Sequence, residues 1–213
     1  MGELIYAERP ADGDAQGLLV LHHGRGTDER DLLGLADALD PERRLRVVCP
    51  RAPLRLPGSP GYHWYLVPRV GYPDHDTFHA AREALGELHD ALWSQTGIEP
   101  ARTVFGGFSM GTVMSYAAAL SKDRPPVAGI LAFSGFVPIV EDWRTSLEDR
   151  RDTEVFIAHG RNDPIIEIGF ARRARELLEA AGLEVEYRES DVGHQIDPGD
   201  LADAADWLSQ VTD

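Results

Sequence analysis

Residues 102–119, RTVFGGFSMGTVMSYAAA, constrain the fold of this chain more than any other stretch. A short apolar run at 103–105 leads into Gly107-Phe108-Ser109-Met110-Gly111, and a helix of small and apolar residues follows. The pattern G-x-S-x-G between a strand and a helix demands a sharp turn, because a side chain at either glycine would crowd the neighbouring strand or helix. The turn also limits what the serine can do. A hydroxyl held at its tip projects into a cleft. The helix start behind it offers free backbone N–H groups and a partial positive charge, both suited to a developing oxyanion. The bland alternative is a glycine-rich turn that happens to hold a serine, and partners elsewhere in the chain decide between the two.

Strand-like and helix-like segments alternate on both sides of this elbow. Residues 4–9 read as a first edge strand, closed by Pro10. Residues 18–22 (LLVLH) and 45–49 are continuous apolar runs, as expected of strands buried on both faces of a parallel sheet. Further buried strands are expected at 127–133 and 154–159, and a strand nearer the sheet edge at 183–188. Helices are expected after a cap at Thr27 or Asp28, with apolar Leu32, Leu33, Leu35, Ala36 and Leu39, and over 77–93 with Phe78, Ala81, Leu85, Leu88 and Leu92 on one face. Two more are expected over 165–181, stopped by Gly182, and over 198–211 with Leu201, Ala205 and Leu208 inward. Residues 50–76 show neither period. They are rich in proline, carry the cluster Tyr62-His63-Trp64-Tyr65, and read as a functional loop, while 136–152 reads as a short irregular insert. The expectation is one α/β domain over 1–213: a mostly parallel open sheet, helices on both faces and no large lid.

Composition narrows the function. At 213 residues and 43% hydrophobic, the chain can fill one core. No apolar run is long enough to span a membrane, so stable membrane insertion is not expected. The N-terminal MGELIYAERPADGD lacks the apolar stretch of a secretory signal. The single cysteine, Cys49, excludes an internal disulfide framework and fits a reducing compartment, so a cytoplasmic setting is expected. A net charge of −15 opposes both nucleic acid and anionic membrane surfaces. A homodimer is compatible with everything in the sequence.

In an open α/β sheet the site lies outside the carboxyl ends of the strands. Three strand ends besides the elbow carry chemistry. After EVFIAH comes Gly160-Arg161-Asn162-Asp163-Pro164, where the Asp163 carboxylate either orients an imidazole or caps the helix beginning at Pro164. After the strand at 183–188 comes Val192-Gly193-His194-Gln195, in a loop that lets His194 hang toward the elbow. Ser109, Asp163, His194 is the chain order of this architecture. Asp191 and Asp197 are rival acids, but they lie within three residues of His194 rather than at another strand end. After LLVLH comes His23-Gly24-Arg25-Gly26, where the N–H of Arg25 with that of Met110 would make a two-donor oxyanion hole. His22 and His23 are adjacent on a strand and point to opposite faces, so no metal site is expected, and no cofactor is implied. Trp64, Tyr65, Phe108 and Phe136 are candidates for an acyl pocket, against the alternative of ordinary core packing.

Four segments, VLHHGRGTDERDL, VFGGFSMG, HGRNDPII and VGHQI, resemble the signature segments of the phospholipase/carboxylesterase family of α/β-hydrolases. The resemblance runs from about Leu18 to Trp207. It implies a triad of Ser109, Asp163 and His194 and oxyanion donors at the backbone N–H groups of Arg25 and Met110. It implies a serine hydrolase acting on small-molecule carboxylic esters, and on thioesters or lysophospholipids within the same family. Met110 stands where eukaryotic thioesterases of the family commonly have glutamine, and His22-His23-Gly24 where a single His-Gly is usual. Both departures favour a generic small-ester role, and the short inserts, which leave an open cleft without a large lid, favour short to medium acyl chains. A serine peptidase or amidase on the same fold, and a non-catalytic α/β binding module, are the competing readings.

Overall fold

A computed structural model describes residues 4–212 of the chain. Its centre is a seven-stranded sheet in the order β1-β3-β2-β6-β7-β8-β9. The strands are β1 (Tyr6–Arg9), β2 (Gly17–His22), β3 (Leu45–Pro50), β6 (Thr103–Phe108), β7 (Gly129–Phe133), β8 (Glu154–Gly160) and β9 (Val185–Ser190). Among the described residues of this sheet only β1 runs antiparallel to its neighbour, and every other pairing in it is parallel. A separate two-stranded ribbon, β4 (Leu54–Arg55) with β5 (Tyr62–His63), lies in the long loop after β3.

The helices are α1 (Ala36–Leu39), α2 (His75–Thr96), α3 (Met110–Ala119), α4 (Gly169–Ala180) and α5 (Pro198–Val211). The alternation of side chains along each strand divides the core between the two faces of the sheet. Leu18, Val20, Phe105, Ile130 and Val155 face α2, α3 and α4, while Leu19, Leu21, Val104, Leu131 and Phe156 face α1 and α5. Helix α3 is buried along its whole length, as its run of alanine, valine and methionine requires.

Several expected elements differ in the structure. The segment from Leu32 to Leu39 is a 3₁₀ turn, Leu32–Leu35, followed by one turn of α-helix, Ala36–Leu39, rather than a single helix. Its expected cap Asp28 instead closes a tight turn onto the N–H of Arg30 at 2.9 Å. Helix α2 starts earlier, because Asp74 caps it through Thr77 N at 3.0 Å, and it runs on to the left-handed Gly97. Helix α4 begins only at Gly169, since residues 161–168 form an irregular turn whose shape serves the site below. In α5 the buried face is Asp200, Ala204, Trp207 and Leu208, with Leu201 beside it and Ala205 only half-buried. The first strand spans Tyr6–Arg9, so Leu4 and Ile5, which were expected in it, lie just before it.

Candidate active site

The elbow is built by exclusion. Ser109 stands at φ 57° and ψ −119°, between β6 and α3. For a non-glycine residue this is a strained conformation costing about 1–3 kcal/mol, held here by the packing around it. A Cβ at Gly107 would meet the backbone of Gly111 at 2.5 Å, and one at Gly111 would meet the His22 carbonyl oxygen at 1.8 Å. The Ser109 N–H donates to the Phe133 carbonyl at 2.9 Å, which ties the turn to β7. Met110 is the first residue of α3, so its N–H has no intrahelical acceptor.

Two loops meet over this turn. The loop after β8 and the loop after β9 are stitched together by Arg161 N to Ser190 O at 2.8 Å and Asn162 N to Val192 O at 3.0 Å. They pack so closely that a Cβ at Gly160 would lie 2.3 Å from the Gly193 carbonyl oxygen. The consequence is a row of three side chains. Asp163 Oδ2 lies 2.6 Å from His194 Nδ1, and His194 Nε2 lies 2.8 Å from Ser109 Oγ. A carboxylate only accepts, so Nδ1 carries the proton and donates to it; Nε2 is then free to accept from the serine hydroxyl.

The two oxygens of Asp163 have separate partners, and the helix it was expected to cap starts at Gly169 rather than at Pro164. Oδ1 accepts from the N–H groups of Ile165 and Ile166 at 2.8 and 2.9 Å, as a cap would, while Oδ2 holds the imidazole. Burial pushes this carboxyl up, but the hydrogen bonds from His194, Ile166 and Ile165 outweigh it, and it sits below the usual carboxylate range. The rival acids are occupied elsewhere. Asp191 pairs with Arg161 at 2.6 Å, and Asp197 caps α5 through Gly199 N at 2.8 Å.

Ser109 and His194 open into a cavity of about 580 Å³ whose walls include Arg25, Tyr65, Phe108, Met110, Phe136 and Ile165. The Phe108 ring lies against the His194 ring, with centroids 4.9 Å apart. Phe136 packs on Phe170 at 5.2 Å and also walls a second, apolar groove of about 610 Å³. Tyr65 presents one side to the cavity and packs on Phe78 with its other, and burial raises its phenol.

Trp64 is a correction to the sequence reading. It is fully buried and forms no part of the cavity wall. Its Nε1–H donates to the His23 carbonyl at 2.9 Å, so it braces the turn that carries Gly24 and Arg25. His23 braces the same turn. The N–H of Ala52 donates to its Nε2 at 3.0 Å, so Nδ1 carries the proton and donates to Gly24 O at 2.7 Å. Gly26, at φ 90°, donates its N–H to Tyr62 O at 2.8 Å, and a Cβ at Gly61 would sit 1.9 Å from Gly26 O. The ribbon β4–β5 therefore clamps the candidate oxyanion turn, a link that two-residue strands left invisible in the sequence. His22 points the other way, with Nδ1 2.9 Å from Ser115 Oγ, so the two histidines do not converge. Val67, Val70, Ile165 and Ile166 also face the cavity and were missed. The two isoleucines follow Asp163-Pro164 directly and could have been placed from that; the valines sit in a loop with no period to read.

A family model described as phospholipase/carboxylesterase matches residues 8–212. Acyl-protein thioesterase 1 of Debaryomyces hansenii is 30% identical over 178 residues, covering 78% of this chain and 76% of the relative. Acyl-protein thioesterase 1 of Candida albicans is 26% identical over 229 residues, covering 96% of each. Among solved structures, esterase PE8 is 29% identical with a TM-score of 0.83, over 99% of this chain and 100% of that one. The Bacillus cereus carboxylesterase, 23% identical, shares the fold with a TM-score of 0.84 over 98% and 94% of the two chains.

Proposed function

The chain belongs to the phospholipase/carboxylesterase family, and on that premise we propose that it is a serine hydrolase that cleaves carboxylic esters through an acyl-enzyme on Ser109. The observation that carries this reading is the row itself: His194 Nε2 at 2.8 Å from Ser109 Oγ, with Nδ1 at 2.6 Å from Asp163. Ser109 Oγ attacks the ester carbonyl while His194 takes its proton. Asp163 holds the ring in the productive tautomer and stabilises the imidazolium. The N–H groups of Arg25 and Met110 receive the oxyanion, the placement that both a glycine-flanked turn and a helix start favour. Collapse expels the alcohol, which takes the proton from His194. Water, deprotonated by the same imidazole, then attacks the acyl carbonyl and frees Ser109.

The acyl part lies against Tyr65, Phe108, Phe136 and Ile165, the apolar part of the cavity wall. The substrate class is small-molecule esters of short to medium acyl chain. Thioesters belong to it too, because the leaving group changes and the machinery does not; relatives named acyl-protein thioesterase support that extension. Among the described residues no helix is long and apolar enough to cross a membrane. The reading includes a cytoplasmic setting, which the single buried Cys49 supports, and is compatible with a homodimer, decided by light scattering.

The test is turnover of p-nitrophenyl esters from acetate to palmitate by the native chain and by Ser109→Ala. The native chain should turn over best at short to medium length, and the variant should lose on the order of 10⁴-fold or more. Native rates in Ser109→Ala would end the proposal, and a rate that rises through palmitate would end its chain-length part.

A further inference from the structure

We propose that His159 is a positioning residue for this reaction: its Nε2–H donates to Ile166 O, which fixes the turn that holds Asp163, and its ring lies against the Asp163 oxygen that holds His194, so that it sets how strongly that carboxylate supports the imidazole. The inference rests on the Ser109–His194–Asp163 reading above.

His159 is the penultimate residue of β8, and its side chain and that of Asp163 are both inaccessible to solvent. Its Nε2 lies 2.8 Å from the Ile166 carbonyl oxygen and 3.3 Å from Asp163 Oδ2. A carbonyl only accepts, so Nε2 carries a proton and donates it to Ile166. Its Nδ1 is buried without a hydrogen-bond partner among the described residues. A second proton there would leave an unpaired N–H and a charge in the interior. Burial above all, with His194 facing it, lowers the His159 imidazole. The Ile166 carbonyl and the charges of Asp163 and Glu189 act the other way, and the ring remains neutral. Arg161 is drawn off toward Glu189 and Asp191.

The result is a closed clamp. Ile166 gives its N–H to Asp163 Oδ1 and accepts from His159 at its carbonyl, and the His159 ring lies 3.3 Å from Asp163 Oδ2. Neutrality matters. A cation at this position would compete with the imidazolium of the reaction for the carboxylate. A neutral ring bound to Ile166 O steadies the carboxylate beside His194 Nδ1 and leaves its charge available. Without that ring the carboxylate is freer to rotate, and it holds the imidazolium more tightly when it is aligned.

The experiment is kcat and KM against pH for p-nitrophenyl acetate in His159→Leu and His159→Gln, where Gln keeps an amide N–H near the Nε2 position. We expect His159→Leu to lose about tenfold in kcat with KM little changed, and its acid limb to move up by about half a pH unit. His159→Gln should recover to within about threefold, with the native acid limb. A native kcat and acid limb in His159→Leu, or equal impairment of both variants, would overturn the inference. If His159→Leu does not fold, ¹⁵N-resolved imidazole NMR of the native chain decides. Protonated Nε2 with bare Nδ1 from pH 6 to 9 supports the donor, whereas the opposite tautomer or an imidazolium overturns it. Turnover surviving in Ser109→Ala would instead sink the reading beneath. A dead Ser109→Ala beside an unaltered His159→Leu sinks only this inference.

Discussion

Ser109 sits at a backbone conformation that serine rarely adopts, and the glycines on either side are what permit it. Of the two, Gly111 is the more exacting. Added carbon there would meet the carbonyl oxygen of His22 at 1.8 Å and that of His23 at 2.7 Å, both backbone atoms that cannot swing away. Gly111→Ala should therefore cost about 4 kcal/mol or more, or prevent folding, as read by thermal or denaturant unfolding. Gly34, which has nothing within 4 Å of an added Cβ, is the control, and its alanine variant should stay within about 1 kcal/mol of the native chain. A native melting curve for Gly111→Ala would mean the elbow is looser than described. At this scale the sequence was legible where spacing carries the information. Gly-x-Ser-x-Gly, Asp163 past one strand and His194 past another could be placed without coordinates. The aromatic cluster could be placed near the site, but not oriented. Trp64 turned inward to brace His23 while Tyr65 turned toward the cavity, and the direction of a loop side chain follows from packing that no local pattern encodes.

The pairing of β2 with α2 buries a second set of titratable groups beneath the elbow. His22 from the strand and His89 from the helix face each other with ring centroids 5.8 Å apart, and His89 stacks on Phe105 at 4.2 Å. Burial first holds both neutral: it pushes His22 down to about 3 from 6.5, and His89 well below 6.5. Because the folded value lies below the unfolded one, this stability is fully present above about pH 6.5 and is lost as pH falls toward 3. At pH 5 the loss from His22 alone is about 2 kcal/mol. Stability measured from pH 7 to 5 should fall accordingly. His89→Phe, which removes two ring nitrogens with no partner among the described residues, should flatten that fall and leave stability at pH 7 unchanged or higher. A steeper fall in His89→Phe would show that the imidazole is hydrogen-bonded after all. Element by element, the long apolar runs were readable because burial on both faces leaves a continuous signal, and α5 has the bounds expected of it, 198–211. The ribbon β4–β5 and the delayed start of α4 were not. Two-residue strands have no period, and residues 161–168 follow the needs of Asp163 rather than helix propensity.

Across the whole molecule, the sheet order brings four strand ends to one rim: β2 with the candidate oxyanion turn, β6 with the elbow, β8 with Asp163 and β9 with His194. That rim is apolar where it meets the cavity, with Val67, Val70 and Ile165 exposed around the mouth. The remaining surface is strongly acidic. The net charge is −15, and Lys122 is the one lysine among 21 basic residues. Self-repulsion on such a surface is screened by salt, so raising sodium chloride from about 0.05 to about 0.5 M should raise Tm by a few degrees. A fall in Tm over that range would show that the ion pairs outweigh the repulsion. All of these features fit the chemical event proposed above, the activation of the Ser109 hydroxyl by an imidazole that the buried Asp163 orients. The most direct measurement of that event is the intact mass, followed by peptide mapping, of the chain treated with a fluorophosphonate. One adduct located on Ser109, absent in Ser109→Ala and strongly slowed in His194→Ala, is the predicted result. An unlabelled native chain, or an adduct on any other residue, would contradict it.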